Sequence, residues 1–186
     1  HGCFGVKDVR KESGVVYHIG DFSRDSFTTG EQVQILVDGE RRALHSKLHS
    51  AGHLLDVALE NVGHLMEPTK GYHFPNGPYV EYAGDIAAEK REEVRAAAEA
   101  EANRLIQAGG EVKIKNVPLA QVKDLSHFVP DYLSPDQPVR VVTVSGSWGC
   151  PCGGTHVQNI SELGKMVVTK MKSKDGKLRV SYDVVR

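Results

Sequence analysis

The spacing of apolar positions along this chain alternates between two periods, and the changes mark its elements. Leu48, Ala51, Leu55, Ala58, Leu59 and Val62 recur at helical spacing. They predict a helix capped at its start by Ser46 and stopped by Gly63. A second helical pattern runs from Ile86 to Ala108, with Asp85 as its cap and Gly109-Gly110 as its end. Val94, Ala98, Leu105 and Ile106 form its apolar stripe, and Glu89, Glu92, Glu93, Glu99 and Glu101 a solvated, acidic face. Short β-type runs lie at 4–9, 15–18 and 32–37 before the first helix, and at 112–117, 139–144, 166–171 and 178–185 after the second. Asp175-Gly176, between the last two runs, is a hairpin signal. The stretch 66–82, rich in Pro, Gly and aromatics, reads as a loop. Together these elements predict the α+β class: a mainly antiparallel sheet packed with two principal helices, preceded by a small β-rich N-terminal module. The expected division is an N-terminal module over 1–44 and a second domain over 45–186.

Two motifs carry candidate chemistry. His49 and His53 are four apart on the first helix, and so share one face and can grip a single ion. His45 continues the row one turn earlier. Cys152 and His156 are also four apart, in a segment from Trp148 too rich in Gly and Pro for a regular element. A tight glycine loop can bring those two side chains to one point, and the backbone N–H groups around Gly153 and Gly154 offer an anion cradle. Among nine histidines a lone HxxxH arises readily by chance. The conjunction of the two pairs is what points to a metal, since together they supply the four ligands of a tetrahedral zinc site.

Composition narrows the setting. With 186 residues, 40% of them hydrophobic, the chain can bury a real core. No stretch approaches the roughly 20 apolar residues of a membrane span, and no signal-peptide pattern is present. Three cysteines make an odd number, which fits a reducing compartment better than a disulfide framework, so the cytoplasm is the expected location. A net charge of −1 argues against a generic nucleic-acid binder. From Lys165 to Arg186, however, seven basic residues face two acidic ones. That basic hairpin suits an RNA acceptor stem as well as it suits a plain solvated surface.

Three segments carry a resemblance. His49-Ser-Ala-Gly-His-Leu-Leu-Asp56, Gly71-Tyr-His-Phe-Pro-Asn-Gly-Pro-Tyr-Val-Glu-Tyr82 and Cys150-Pro-Cys-Gly-Gly-Thr-His-Val157 resemble, in order, the AlaX family. These are free-standing relatives of the editing domain of alanyl-tRNA synthetase and, more distantly, of threonyl-tRNA synthetase. The similarity runs from about Gln32 to the C-terminus, so that 45–186 is expected to be an aminoacyl-tRNA editing domain. The first 44 residues resemble the end of the β-rich module that precedes it in longer members. That module's upstream glycine-rich motif is missing and the chain opens on His1, so a truncated or processed N-terminus is expected.

The resemblance implies a zinc-dependent deacylase that hydrolyses the ester of mischarged seryl-tRNA(Ala) in trans, with glycyl-tRNA(Ala) as a second substrate. Its zinc ligands fall on His49, His53, Cys152 and His156, and its partner is the acceptor end of tRNA(Ala) carrying serine; no membrane and no obligatory protein partner are implied. Such chemistry needs a placed water, a stabilised oxyanion and a way to refuse alanine. Thr155 and Thr69 are the candidate hydroxyls for recognising serine, and Gly153 and Gly154 the backbone that meets the substrate. His73 is the candidate for orienting water or touching the terminal adenosine, with Tyr72, Phe74, Tyr79 and Tyr82 as candidates for stacking on its base. Asp56, the carboxylate nearest the histidine pair, is assigned no role, and the general base is left open. Two alternatives stand beside this reading: a seryl-tRNA(Thr) deacylase, and a non-catalytic tRNA-binding module with a structural zinc.

Overall fold

The structure is a computed structural model that describes residues 2–185. It divides into two compact units, His1–Val37 and Asp38–Arg186. The first is a ribbon of β1 (Phe4–Glu12) and β2 (Val15–Phe22), paired antiparallel. Its two-residue loop, Ser13-Gly14, has positive φ at both positions (49° and 83°), the geometry that matches the twist of a hairpin. Phe22 sits between Phe4 and Phe27, with centroids 4.9 and 5.0 Å apart. The strand expected at 32–37 does not form. A β-run needs a ladder to join; this one pairs with no strand, and its Ile35 and Leu36 are 70% and 83% exposed.

The second unit opens with α1 (Gly39–Asn61), which begins eight residues earlier than Ser46-capping predicts. Asp38 is the cap, its carboxylate accepting from the Arg41 N–H at 2.9 Å. Ser46 lies inside the helix with its hydroxyl turned to other use. Gly63, at φ 90°, follows the helix end. The segment expected to be a loop is a hairpin of β3 (Pro68–Tyr72) and β4 (Tyr79–Ala83), whose alternation is masked by a bulge between Pro68 and Lys70. The long helix α2 (Arg91–Ala108) starts five residues after Ile86, following one 3₁₀ turn over Ala88–Lys90. Asp85 does not cap it; its carboxylate binds the Ile86 N–H and Arg91 instead. Then come β5 (Lys113–Val117), the short α3 (Leu119–Val122), β6 (Val139–Thr143), β7 (Cys150–Pro151), β8 (Met166–Lys174) and β9 (Lys177–Val184). Asp175 and Gly176 turn the last hairpin with φ of 53° and 73°.

Two antiparallel sheets result, one of order β3-β4-β9-β8 and one of order β5-β6-β7. The fold is α+β, as the periodicity predicts. The inner face of the larger sheet (Val80, Tyr82, Leu178, Val180, Tyr182, Met166, Val168) shares one core with Leu48, Leu54, Leu55 and Leu59 of α1 and Val94, Ala98, Ala102 and Ile106 of α2. Each fully buried Leu, Val or Met there contributes about 1.5–3 kcal/mol. Arg95 and Asn103 of α2 reach across to the β8 carbonyls of Val168 and Met166, which fixes that helix on the sheet edge. A smaller cluster of Val122, Val139 and Val141 holds α3 on β6.

A histidine and cysteine cluster on the first helix

Helical geometry delivers half of the site. His49 and His53 project from one face of α1, one turn apart, with ring centroids separated by 5.0 Å. The β7 pairing with β6 delivers the other half, because it ends at Pro151 and launches the glycine loop over the helix. Arg140 of β6 clamps that loop, donating to the carbonyls of Cys152 (2.6 Å) and Gly154 (3.0 Å). The approach is close: a Cβ on Gly154 would fall on the His49 ring, so only glycine lets the loop settle there.

The four side chains converge. Cys152 Sγ lies 3.4 Å from His49 Nε2 and 3.5 Å from His156 Nε2, and one ligand atom from each of His49, His53, Cys152 and His156 falls within 4.8 Å of every other. Together they form a group that could hold a metal ion. Burial pushes His49 and, much further, His53 below the ordinary imidazole range, and takes His156 down to about 3. All three rings are therefore neutral at pH 7, the form that ligates a metal. Burial also raises the Cys152 thiol, so that ligation there would release a proton. The Gly154 N–H donates to Cys152 Sγ at 3.4 Å.

Outer contacts aim the ligands. Ser50, fully buried, accepts the Val157 N–H at 3.1 Å and meets His156 Nδ1 at 3.1 Å, leaving His156 Nε2 to face the cluster. Ser46 donates to the Thr155 hydroxyl at 3.0 Å and so ties the exposed Thr155 to the helix beneath it.

His73 follows β3 and stacks on His49, at 4.7 Å and 27°. Its Nδ1 is 2.6 Å from the Tyr182 hydroxyl, which itself donates to the Leu48 carbonyl at 2.9 Å. A tyrosine hydroxyl has one proton, and a carbonyl can only accept. His73 must therefore donate from Nδ1, which leaves its Nε2 as a lone-pair acceptor. Burial holds that imidazole neutral by pushing it to about 4. This chain of contacts crosses α1 at Gly52, where a Cβ would lie 2.5 Å from His73 Cε1 and 2.8 Å from the Tyr182 hydroxyl oxygen.

The remaining sequence candidates fall in different places. Gly153 is exposed at the loop tip. Thr69 stands on the exposed surface of β3, its hydroxyl donating to the Glu81 carbonyl at 3.1 Å. Tyr82 packs beneath the sheet at 1% exposure and donates to Asp56 at 2.6 Å, whose carboxyl burial pushes up to about 7. Tyr72, Phe74 and His45 wall an open hollow of about 640 Å³ that also meets Leu44, Arg41 and Asn76. His45 precedes His49 by one turn and Phe74 follows His73, so the hollow adjoins the cluster. Sequence reasoning missed Ser46, Ser50, Arg140 and Tyr182. Gly52 carried a signal, being a glycine in mid-helix with no capping role.

Residues 139–181 match the family described as the threonyl and alanyl tRNA synthetase second additional domain. The chain is homologous to the editing region of alanyl-tRNA synthetase and to the AlaX-L editing protein. It is 30% identical to the cytoplasmic alanine-tRNA ligase of Caenorhabditis elegans over 89% of its length, and 31% identical to alanine-tRNA ligase 1 of Lachnoclostridium phytofermentans over 93%. It spans 18% and 19% of those two proteins. To the alanyl-tRNA editing protein AlaX-L of Pyrococcus horikoshii it is 25% identical over 93% of its length, covering 42% of that relative.

Proposed function

We propose that this chain is a cytoplasmic, zinc-dependent aminoacyl-tRNA deacylase that acts in trans on seryl-tRNA(Ala), with glycyl-tRNA(Ala) as a second substrate. The observation that carries the reading is the convergence of His49, His53, Cys152 and His156 beside an oriented, neutral His73. The donor set fits zinc. Tetrahedral Zn–S and Zn–N bonds place a sulfur and a nitrogen ligand about 3.6 Å apart, and the separations here are 3.4 and 3.5 Å. Bound there, zinc supplies a Lewis acid that polarises the ester or lowers the pKa of a water.

The chain's own residues supply the rest. His73 Nε2 accepts a hydrogen bond from the attacking water and so orients it toward the ester carbonyl. The Gly153 backbone at the loop tip meets the carbonyl oxygen, and Gly154 allows the loop to lie against His49. Thr155 hydrogen-bonds the serine hydroxyl, with Thr69 as the second candidate. Alanine offers the Thr155 O–H no acceptor, while the Thr155 oxygen keeps its bond from Ser46, so the contact favours serine over alanine. The hollow beside His45 and Phe74 receives the terminal adenosine, whose base stacks on an aromatic wall. No helix among the described residues is long and apolar enough to cross a membrane.

A second reading rests on the same four ligands. A zinc closed by four protein donors is usual for a structural site, which would make this a tRNA-binding module without turnover. The test compares serine release from seryl-tRNA(Ala), seryl-tRNA(Thr) and glycyl-tRNA(Ala), and alanine release from alanyl-tRNA(Ala), with Cys152→Ala as control. Selective loss of serine from tRNA(Ala), abolished in the variant, supports the proposal; preference for tRNA(Thr), or no turnover by folded, zinc-loaded protein, overturns it.

A further inference from the structure

The outward face of the β3-β4-β9-β8 sheet is rich in basic side chains. Because directly paired residues share a face, the register places Tyr72, Tyr79, Ser181 and Lys170 in one row across the four strands. The next row is Lys70, Glu81, Arg179 and Lys172, and beyond it Lys177 pairs with Lys174. The six basic side chains are all exposed. Glu81 and Asp183 are the acids on the strand positions of this face, so it carries about four net positive charges in a chain whose total is −1.

Glu81 is already engaged by Lys177 (3.5 Å) and Arg179 (3.2 Å). Among the described residues no ion pair is seen for Lys70, Lys170, Lys172 or Lys174. Lys170 and Lys172 crowd one another, by a side-chain hydrogen bond and by charge, which pulls Lys170 below the ordinary lysine range. Lysines on an edge strand commonly serve only to block edge-to-edge pairing. That explanation covers β8, but not Lys177 and Arg179 on the interior strand β9.

The face also has a direction. Its first row holds Tyr72 stacked on Tyr79 (5.6 Å, 18°), with Arg179 4.0 Å above the Tyr79 ring. Tyr72 precedes His73, and Ser181 precedes Tyr182, so this aromatic row lies at the edge of the cluster. From Ser181 the cations extend to Lys177, four residues or about 13 Å farther along the strand. Aromatics beside the reacting end and cations beyond it suit an unpaired 3′ end that continues into a phosphate-lined duplex.

We infer that this sheet face is the surface on which the backbone of the tRNA acceptor stem lies when its charged end enters the His/Cys cluster. The inference rests on the proposed editing function for the identity of the RNA, and its test separates the two. Lys170→Ala/Lys172→Ala/Lys174→Ala is compared with the parent for binding of uncharged tRNA(Ala), followed by fluorescence anisotropy from 50 to 300 mM salt. Removing three phosphate contacts is expected to lower the slope of log K against log salt by about 2–3. The ratio of kcat/KM on seryl-tRNA(Ala) to that on the seryl ester of adenosine, too short to reach these lysines, is expected to fall about 10-fold or more. An unaltered salt slope, or no tRNA binding by the parent, overturns the inference. Failure of the parent to hydrolyse either ester would instead overturn the editing reading, while the binding arm still reports on the face.

Discussion

Gly52 lies in the interior of α1, where helix propensity alone favours alanine by about 0.8–1.0 kcal/mol. The contacts above it give the opposite sign. An alanine Cβ would stand 2.5 Å from His73 Cε1, 2.7 Å from His73 Nδ1 and 2.8 Å from the Tyr182 hydroxyl oxygen. Ordinary carbon contact is near 3.5 Å, so the His73 ring must retreat by about 1 Å. Tyr182 cannot follow freely, since it is 1% exposed and bonded to the Leu48 carbonyl at 2.9 Å. Overpacking of this kind costs about 1–3 kcal/mol, and the lost His73 hydrogen bond about 0.5–1.5 kcal/mol. After the propensity gain, Gly52→Ala is expected to be destabilised by about 1–3 kcal/mol. In a domain of this size that lowers Tm by about 2–10 °C. Displacement of a water-orienting group by 1 Å is expected to slow deacylation by about 10²-fold. Urea unfolding and single-turnover deacylation measure the two effects. A variant that gains about 1 kcal/mol and deacylates normally would refute the role given to Gly52 and, with it, the His73 to Tyr182 chain.

Ser50→Ala removes the group beneath His156 Nδ1 and leaves the Val157 N–H without its acceptor, so metal affinity is expected to fall about 10–100-fold and stability by about 1–3 kcal/mol. Competition against a chromophoric chelator reads the first, and an unaltered affinity would remove Ser50 from the site. For Asp56, burial raises the folded-state pKa to about 7, so its protonated form favours folding. That contribution is whole below about pH 4 and is lost as pH rises through about 7. Between pH 4 and pH 8 the parent is expected to lose about 3–4 kcal/mol relative to Asp56→Asn, and parallel stability profiles in urea would contradict this.

Much of this arrangement could be read from residue order. The apolar periods gave the class and the later strands, and the paired ligand motifs gave the four side chains that converge. What escaped was set by partners distant in sequence. The start of α1 is set by Asp38, whose carboxylate caps it, while Ser46 lies inside the helix and donates to Thr155, 109 positions away. The β3 to β4 hairpin hid among Pro and Gly because its strands are short and bulged. The run 32–37 looked like a strand because alternation reports suitability for pairing without supplying a partner. Tyr182 reads as one more apolar position of β9, and only its pairing register beside β4 and its packing on α1 bring its hydroxyl to Leu48 and His73.

The central claim is that the His/Cys cluster performs chemistry beyond holding the fold. Its most direct test is single-turnover hydrolysis of seryl-tRNA(Ala) by zinc-loaded and chelator-treated protein, with circular dichroism recorded on the same samples. Rapid serine release that disappears on chelation while the far-ultraviolet spectrum is retained, and that returns on adding one equivalent of zinc, is the expected result. Unfolding on chelation, with no serine released by the zinc-loaded protein, would contradict it and assign the metal a structural role.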